Sequence, residues 1–251
     1  MSEKQAHIRW ELSKGKIAKA LASLIPKAIA FQIIDTQKEK TPFQNISFSQ
    51  EGEDMLLNSL MDVNKAGFYV DIGAHHPTRL SNTHKLYLAG WSGINIDPTP
   101  GVMIEFNKMR KRDINLEIAI SRNSQKLVFF QFDEPALNTF DKQKAETIVK
   151  GSNFKIIEQR EIPTFELKNI LNKHVPERQV IDFMNIDVEN LELDVLKSND
   201  WEKFKPKLLL IENIQNTLQD VLNSAITSYL NNLGYTPIAK GLRTVFYRLN
   251  S

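Results

Sequence analysis

Apolar positions along the chain fall into short runs, separated by glycine, proline and polar clusters. Phe68-Tyr69-Val70-Asp71-Ile72 is the first run of strand-forming residues, ending in Gly73 and a turn closed by Pro77. A short apolar run bounded in this way predicts a buried parallel strand. Gly93 to Asp97 repeats the pattern, with Asp97 placed 26 positions after Asp71. Ile114 to Ile120 predicts a third strand ending at Ser121, Val180 to Asp187 a fourth, and Leu208 to Ile211 a fifth. Helical spacing recurs between these runs. It is carried by Met55, Leu57 and Leu60 behind an N-cap at Ser49, by Leu86 to Leu88, and by Val102, Ile104, Phe106 and Met109. It returns at Leu191 to Leu196 and again from Thr217 to Leu233, where Gly234 takes the favoured C′ position. Tyr235 to Ala239 and Thr244 to Leu249, joined around Gly241, predict a hairpin. Strand–helix alternation ending in a hairpin predicts an α/β fold with a mostly parallel sheet and one antiparallel strand.

Two regions depart from this alternation. Leu127 to Phe132 and Lys155 to Ile162 read as strands flanking the polar stretch Asp133 to Lys150, so residues 133–163 predict an inserted lobe on the substrate side. Residues 1–45 carry Ile8, Leu12, Ile17, Leu21 and Leu24 at helical spacing with lysines between them. They predict a basic, amphipathic helical segment, bent before Pro26, ahead of a domain over 46–251. Such helices pack on a domain or a partner subunit, or lie on an anionic membrane. Self-association or peripheral membrane contact is therefore the expectation for this segment.

Composition narrows the picture. At 251 residues, with 41% hydrophobic and 25% charged residues, the chain suits one α/β domain with an added segment. A formal net charge of +2 argues against nucleic acid as the partner. The absence of cysteine removes disulfide and thiolate chemistry and fits a reducing, cytoplasmic setting. The most apolar N-terminal stretch, Leu21 to Ile34, has 14 residues including Lys27, too few to span a bilayer.

The chemistry gathers at the strand tips. Asp71 and Asp97, at the carboxyl ends of neighbouring strands, make a nucleoside-sized crevice lined with acceptors. A dinucleotide site wants G-x-G-x-x-G, but Ala74, His75, His76 and Pro77 follow Gly73, and Asp71 opposes a pyrophosphate. A cationic, phosphate-free ligand with an amino group and a ribose suits the loop, and S-adenosylmethionine is one. Asp97 would then accept from the ribose hydroxyls. The plainer alternative is that both aspartates cap helices.

Several stretches together resemble the FkbM family of S-adenosylmethionine-dependent methyltransferases: SQEGED (49–54), FYVDIGAHHP (68–77), SNTHKLYLAGWSGINIDPTP (81–100), DFMNIDVENLELDVLKSNDW (182–201) and PKLLLIE (206–212). The likeness runs from about residue 45 to the C-terminus. Two positions differ from the family's pattern: its G-A-N-x-G loop is here Gly73-Ala74-His75-His76-Pro77, and its D-x-E-G is Asp187-Val188-Glu189-Asn190. The resemblance implies a class I methyltransferase-like Rossmann fold with a seven-stranded sheet. It also implies methyl transfer to a hydroxyl, commonly on a sugar, glycan or glycosylated metabolite. It assigns Asp71 and Gly73 to the methionine end of the cofactor, Asp97 to its ribose, and Asp187 and Glu189 to the reacting centre. Ala74, Pro98, Gln50, Ser81, Asn82 and Asp187 are further candidate cofactor contacts, and Ala119 to Ser121 with Asp113 are candidates on the adenine side.

A sugar hydroxyl needs help losing its proton, and the candidate bases are Asp187, Glu189, His75 and His76. Asp187, Glu212 and Asn213, expected at neighbouring strand ends, could hold a divalent cation such as Mg²⁺ that acidifies the acceptor. Helix capping by Glu212 and Asn213 is the alternative. Arg79 and Trp91 lie near the same end, Trp91 as a core residue. A nucleic-acid methyltransferase is disfavoured because no Asn/Asp-Pro-Pro-aromatic run is present. A cofactor-binding scaffold for glycan assembly stands as the non-catalytic alternative.

Overall fold

The structure is a computed structural model that describes residues 45–250, so the helical segment expected over 1–45 lies outside the described residues save for its last position. The unit from Ser47 onward is built on a seven-stranded sheet. Its strands are β1 (Phe68–Ile72), β2 (Ser92–Ile96), β3 (Ile114–Leu116), β7 (Phe183–Ile186), β8 (Leu208–Glu212), β9 (Tyr235–Lys240) and β10 (Thr244–Leu249). The order is β3-β2-β1-β7-β8-β10-β9, with β10 alone antiparallel to its neighbours. This is the sheet that the alternation and the terminal hairpin predict.

Both faces of the sheet are covered, which is why its strands read as continuous apolar runs. Val70, Ile72, Ile94, Ile96, Met184, Ile186, Leu209 and Ile211 face one side, packed with Leu171, Val195, Leu196 and Leu230. Tyr69, Phe183, Leu208, Leu210 and Phe246 face the other with Leu57, Leu86 and Trp91. Trp91 is core, and its indole N–H donates to the Val63 carbonyl at 3.0 Å.

The expected third strand is two. Its first part, β3, pairs with β2, whereas Ala119–Ile120 (β4) crosses to a second sheet of order β4-β6-β5. There β5 (Lys126–Phe132) and β6 (Ile156–Phe165) form an antiparallel ribbon. Between them Pro135–Leu137 is a 3₁₀ turn and Lys142–Gly151 a helix. The ribbon needs a parallel partner at its end, and β4 supplies it through Ala119 opposite Thr164 and Ile120 opposite Phe165. The helix Leu167–His174, unmarked in the sequence reading, follows β6 and buries Leu167, Ile170 and Leu171.

Three helices depart in detail. Ser49 is not the N-cap of Glu53–Leu60. Gly52 is, at φ 89, and Ser49 Oγ accepts instead from the Asp54 N–H at 3.2 Å. In Val102–Met109 the inward residues are Met103 and Phe106, while Ile104 is 60% and Met109 43% exposed. Thr217 to Leu233 is two helices, Leu218–Asn223 and Ala225–Asn232, divided at Ser224, which leaves helical geometry and caps the second. Among the described residues, no helix is long and apolar enough to cross a membrane.

Candidate functional site

Register places a polar row across the sheet. Asp71 lies opposite Asn95 in β2 and Asn185 in β7, and Asn95 lies opposite Asn115 in β3. Side-chain direction alternates along a strand, so these residues share the Tyr69 face. Asn185 Nδ2 donates to Asp71 Oδ1 at 2.9 Å, and Thr83 Oγ1 donates to Asp71 Oδ2 at 2.6 Å. Burial pushes the Asp71 carboxyl up, against these two hydrogen bonds and the Arg110 charge. Two residues beyond the row come Asp97, Gly73 and Asp187, at the carboxyl ends of β2, β1 and β7.

Gly73 is fixed by that convergence. Its φ is +82, and a Cβ on it would collide with the Asp187 carbonyl oxygen. Only glycine lets the loop after β1 pass so close to the end of β7. The Gly73 N–H bonds to the Ile96 carbonyl at 2.9 Å, and the Asp187 N–H to the Ile72 carbonyl at 3.0 Å, so the three tips are tied together.

A cleft of about 270 Å³ opens over these tips. Gln50, Asp71, Gly73, Ala74, His75, Ser81, Asn82, Asp97, Pro98, Ala119, Asp187, Glu189 and Glu212 all line it. Asp97 is 6% exposed; its Oδ2 accepts the His75 N–H at 2.9 Å and its Oδ1 the Thr99 N–H at 2.8 Å. Each oxygen keeps a lone pair for a further donor. Asn82 is 8% exposed; its amide donates to Asn185 Oδ1 at 3.0 Å, while its own Oδ1 is buried without a partner. A buried acceptor facing a cleft in this state is fitted for a donor from a ligand. Ser81 Oγ accepts the His84 N–H at 3.1 Å, at the start of the helix His84–Leu88. Apolar Ile118, Ala119, Ile120 and Phe129 form another wall.

His75 sits at φ 54, its Nε2 buried and unpartnered, and burial pushes its pKa down so that the ring is neutral at pH 7. His76 does not belong to the cleft. Its Nδ1 accepts the N–H groups of Thr78 at 3.1 Å and Arg79 at 2.9 Å, and its Nε2 lies 3.2 Å from Glu105, so it closes a turn. Asp113 and Ser121, expected beside an adenine, likewise do not line the cleft. The Asp113 carboxylate is buried against Arg110 at 2.9 Å, and the Ser121 N–H binds Phe165.

The acidic turn Glu51–Asp54 is structural. Glu51 Oε2 accepts the N–H of Leu242 at 2.8 Å and of Arg243 at 3.1 Å, and Asp54 Oδ2 that of Phe48 at 2.8 Å. Of residues 49–54, Gln50 alone lines the cleft.

The metal set expected from the sequence changes. Asn213 turns away: its amide donates to Ser224 Oγ at 3.1 Å and to the Tyr247 hydroxyl at 3.0 Å. Its oxygen, the atom a cation would need, accepts from Gln215 Nε2 at 3.3 Å, and Asn213 does not line the cleft. Among the described residues, Asp187, Glu189 and Glu212 instead have carboxylate oxygens within 4.8 Å of one another. Burial, then the neighbouring Glu212 and Glu192 charges, hold the Asp187 carboxyl well above its usual range, and burial raises Glu212 too.

Glu192, absent from the sequence reading, holds this corner. It is 6% exposed, and its Oε1 accepts the N–H groups of Val188 at 3.1 Å and Asn190 at 3.2 Å. Those bonds brace Glu189 and Asn190 at φ 56 and 79. Asparagine tolerates the left-handed region, which is how Asn190 stands where the family's pattern has glycine. Burial pushes the Glu192 carboxyl from 4.5 up to about 7. A carboxyl raised on folding contributes stability below its unfolded pKa and loses it as pH rises through the folded one. Thermal stability should therefore fall between pH 4.5 and about 7, by about 3 kcal/mol from this group. Melting curves of Glu192→Gln should show a flatter decline over that window, and a slope equal to wild type would disprove the assignment.

The inserted lobe reaches the same cleft. Pro135 to Phe140 line it. Thr139 pairs by backbone with Phe130, Asn138 Nδ2 donates to Thr99 Oγ1 at 3.0 Å, and Arg79 pairs with Glu134 at 3.0 Å.

The family model for the methyltransferase FkbM domain matches residues 71–237, more than half of the chain. No curated protein matches. Among solved structures, the crystal structure of a methyltransferase from Geobacter sulfurreducens is similar over 94% of this chain and 96% of its own, with 15% sequence identity and a TM-score of 0.40. The matched span begins at the aspartate of the polar row and takes in Asp97, the Asp187–Asn190 turn and Glu212, and by it the chain belongs to the FkbM methyltransferase family.

Proposed function

We propose that this protein is an S-adenosylmethionine-dependent O-methyltransferase acting on a hydroxyl of a sugar, a glycan or a glycosylated metabolite. The observation that carries the reading is the set of buried acceptors that the strand tips present to the cleft. Asn82 offers a buried oxygen without a partner, Asp71 lies behind it, and Asp97 keeps free lone pairs at the next strand tip. This set suits an ammonium and a ribose and repels a pyrophosphate, which fits S-adenosylmethionine.

Asn82 and Asp71 would hold the amino-acid end, Asp97 the ribose, and Ile118, Ala119 and Phe129 the adenine. When bound, the cofactor supplies an electrophilic methyl group. The residues of the chain align and deprotonate the acceptor. Orientation supplies about 7–11 kcal/mol in well-arranged sites. Asp187 and Glu189 stand where an acceptor hydroxyl is held, and Glu189 receives its proton, a transfer contributing about 10²- to 10⁴-fold. Neutral His75 offers its unpartnered Nε2 as a further contact with the acceptor. Three carboxylates in one corner match an acceptor rich in hydroxyl donors.

Calorimetric titration with S-adenosylmethionine, with NAD as control, tests the reading. Micromolar affinity for the first and none for the second is expected, followed by transfer of labelled methyl to a hydroxylated acceptor. No affinity for S-adenosylmethionine would overturn it, and binding without transfer to any acceptor would point to a scaffold.

A further inference from the structure

The carboxylate corner is completed by a residue from outside the main sheet. Three carboxylates with oxygens within 4.8 Å of one another repel, and such a group stands when protons or a cation offset the charge. The helix Lys142–Gly151 brings a cation. Lys144 Nζ contacts Glu189 Oε2, the two side chains 24% and 23% exposed. Its positive charge also acts on both Asp187 and Glu212. Arg243, the other cation acting on Glu212, is engaged with Glu51 at 3.6 Å.

The lysine is held in place from both ends of the contact. Asp141 caps its helix, with Oδ1 accepting the Gln143 N–H at 2.8 Å and the Lys144 N–H at 3.1 Å. The other oxygen of Asp141 accepts from Asn190 Nδ2 at 2.9 Å, and Thr139 Oγ1 donates to the Glu189 carbonyl at 3.4 Å. The lobe is thus joined to the Asp187–Asn190 turn at three points. One of them uses the Asn190 amide, which a glycine at that position would lack.

We propose that Lys144 is the resident cation of this corner and a positioning residue for Glu189, so that the inserted lobe supplies the charge a divalent metal would otherwise bring. The proposal rests on the methyl-transfer reading for what Glu189 does. An ammonium at this place fixes the Glu189 carboxylate in direction and offsets the negative charge of the corner. It also makes the corner complete only when the lobe is docked.

Mn²⁺ titration followed by electron paramagnetic resonance, on the full chain and its variants, tests the proposal. Lys144→Met should bind Mn²⁺ at least tenfold more tightly than wild type. Lys144→Arg should behave as wild type, and Glu212→Gln added to Lys144→Met should abolish the gain. Equal Mn²⁺ affinity in wild type and Lys144→Met, whether strong or absent, overturns the proposal, as does a gain that survives Glu212→Gln or appears equally in Lys144→Arg. If Lys144→Met is too unstable to titrate, Lys144→Gln is read in the same way. The same chains are titrated with S-adenosylmethionine: a wild type without affinity for it sinks the methyl-transfer reading and leaves the Mn²⁺ comparison intact.

Discussion

Asp97→Ala should lower S-adenosylmethionine affinity by about 10²-fold, equivalent to about 2.7 kcal/mol. Charge-assisted hydrogen bonds contribute about 1.5–3 kcal/mol each, and a ribose presents two hydroxyls to one carboxylate. The substitution also removes the acceptor of the His75 N–H, in the loop after β1, and of the Thr99 N–H, in the turn after β2. Asp97→Asn keeps one neutral acceptor and should lose less. Calorimetry reads the affinity, and a parallel melting curve shows whether the domain remains folded. Affinity equal to wild type in a folded Asp97→Ala chain would remove Asp97 from the ribose and require another residue there.

Arg110→Met should destabilise the domain by about 3–5 kcal/mol, because it leaves a buried charge without its partner. The Arg110 and Asp113 side chains are both 0% exposed, with Nε 2.9 Å from Asp113 Oδ2. The same guanidinium donates to the Pro77 carbonyl at 3.0 Å, the Tyr69 hydroxyl at 2.6 Å and Thr83 Oγ1 at 2.9 Å, and it lies over the Tyr87 ring. Tyr69 in turn donates to Asp113 at 2.5 Å, and its ring passes over Gly93, where a Cβ would collide with it. For a domain of this size the loss corresponds to a melting temperature lower by about 10 °C. Adding Asp113→Asn should recover part of the loss, since much of the cost is the orphaned carboxylate. A melting temperature within 2 °C of wild type, by about the shift that 1 kcal/mol produces, would show that the network is dispensable. The network also reaches the cleft, because Thr83 links Arg110 to Asp71. Functional loss in Arg110→Met is therefore expected even where the chain folds.

Much of the cleft was legible in the chain because its residues sit at strand ends. Asp97, Asp187 and Glu212 each close an apolar run and Asp71 interrupts one near its end, and a parallel sheet brings such ends to one edge whatever the details of packing. Asn95 and Asn185 were legible in principle, as lone polar residues inside GINID and FMNID, but their partnership with Asp71 depends on register. His75 and His76 are neighbours in sequence and differ in role, since a left-handed residue at 75 sends one ring toward the cleft and the other toward Glu105. Asn213 adjoins Glu212 and points elsewhere for a simpler reason: alternate residues of a strand face opposite sides.

Local pattern by itself determined the sheet, its terminal hairpin and the acidic strand tips, because burial on both faces and the turn at Gly73 leave marks within a few residues. Tertiary structure alone decided the break of the third strand between two sheets, the Arg110–Asp113–Tyr69 network, the bracing of Asn190 by Glu192, and the arrival of Lys144 at Glu189. Each of these joins residues through a sheet register, a buried charge or a lobe packed on a distant turn. Even where the partners are close in sequence, as Arg110 and Asp113 or Asn190 and Glu192 are, their geometry is set by the burial and the turn around them.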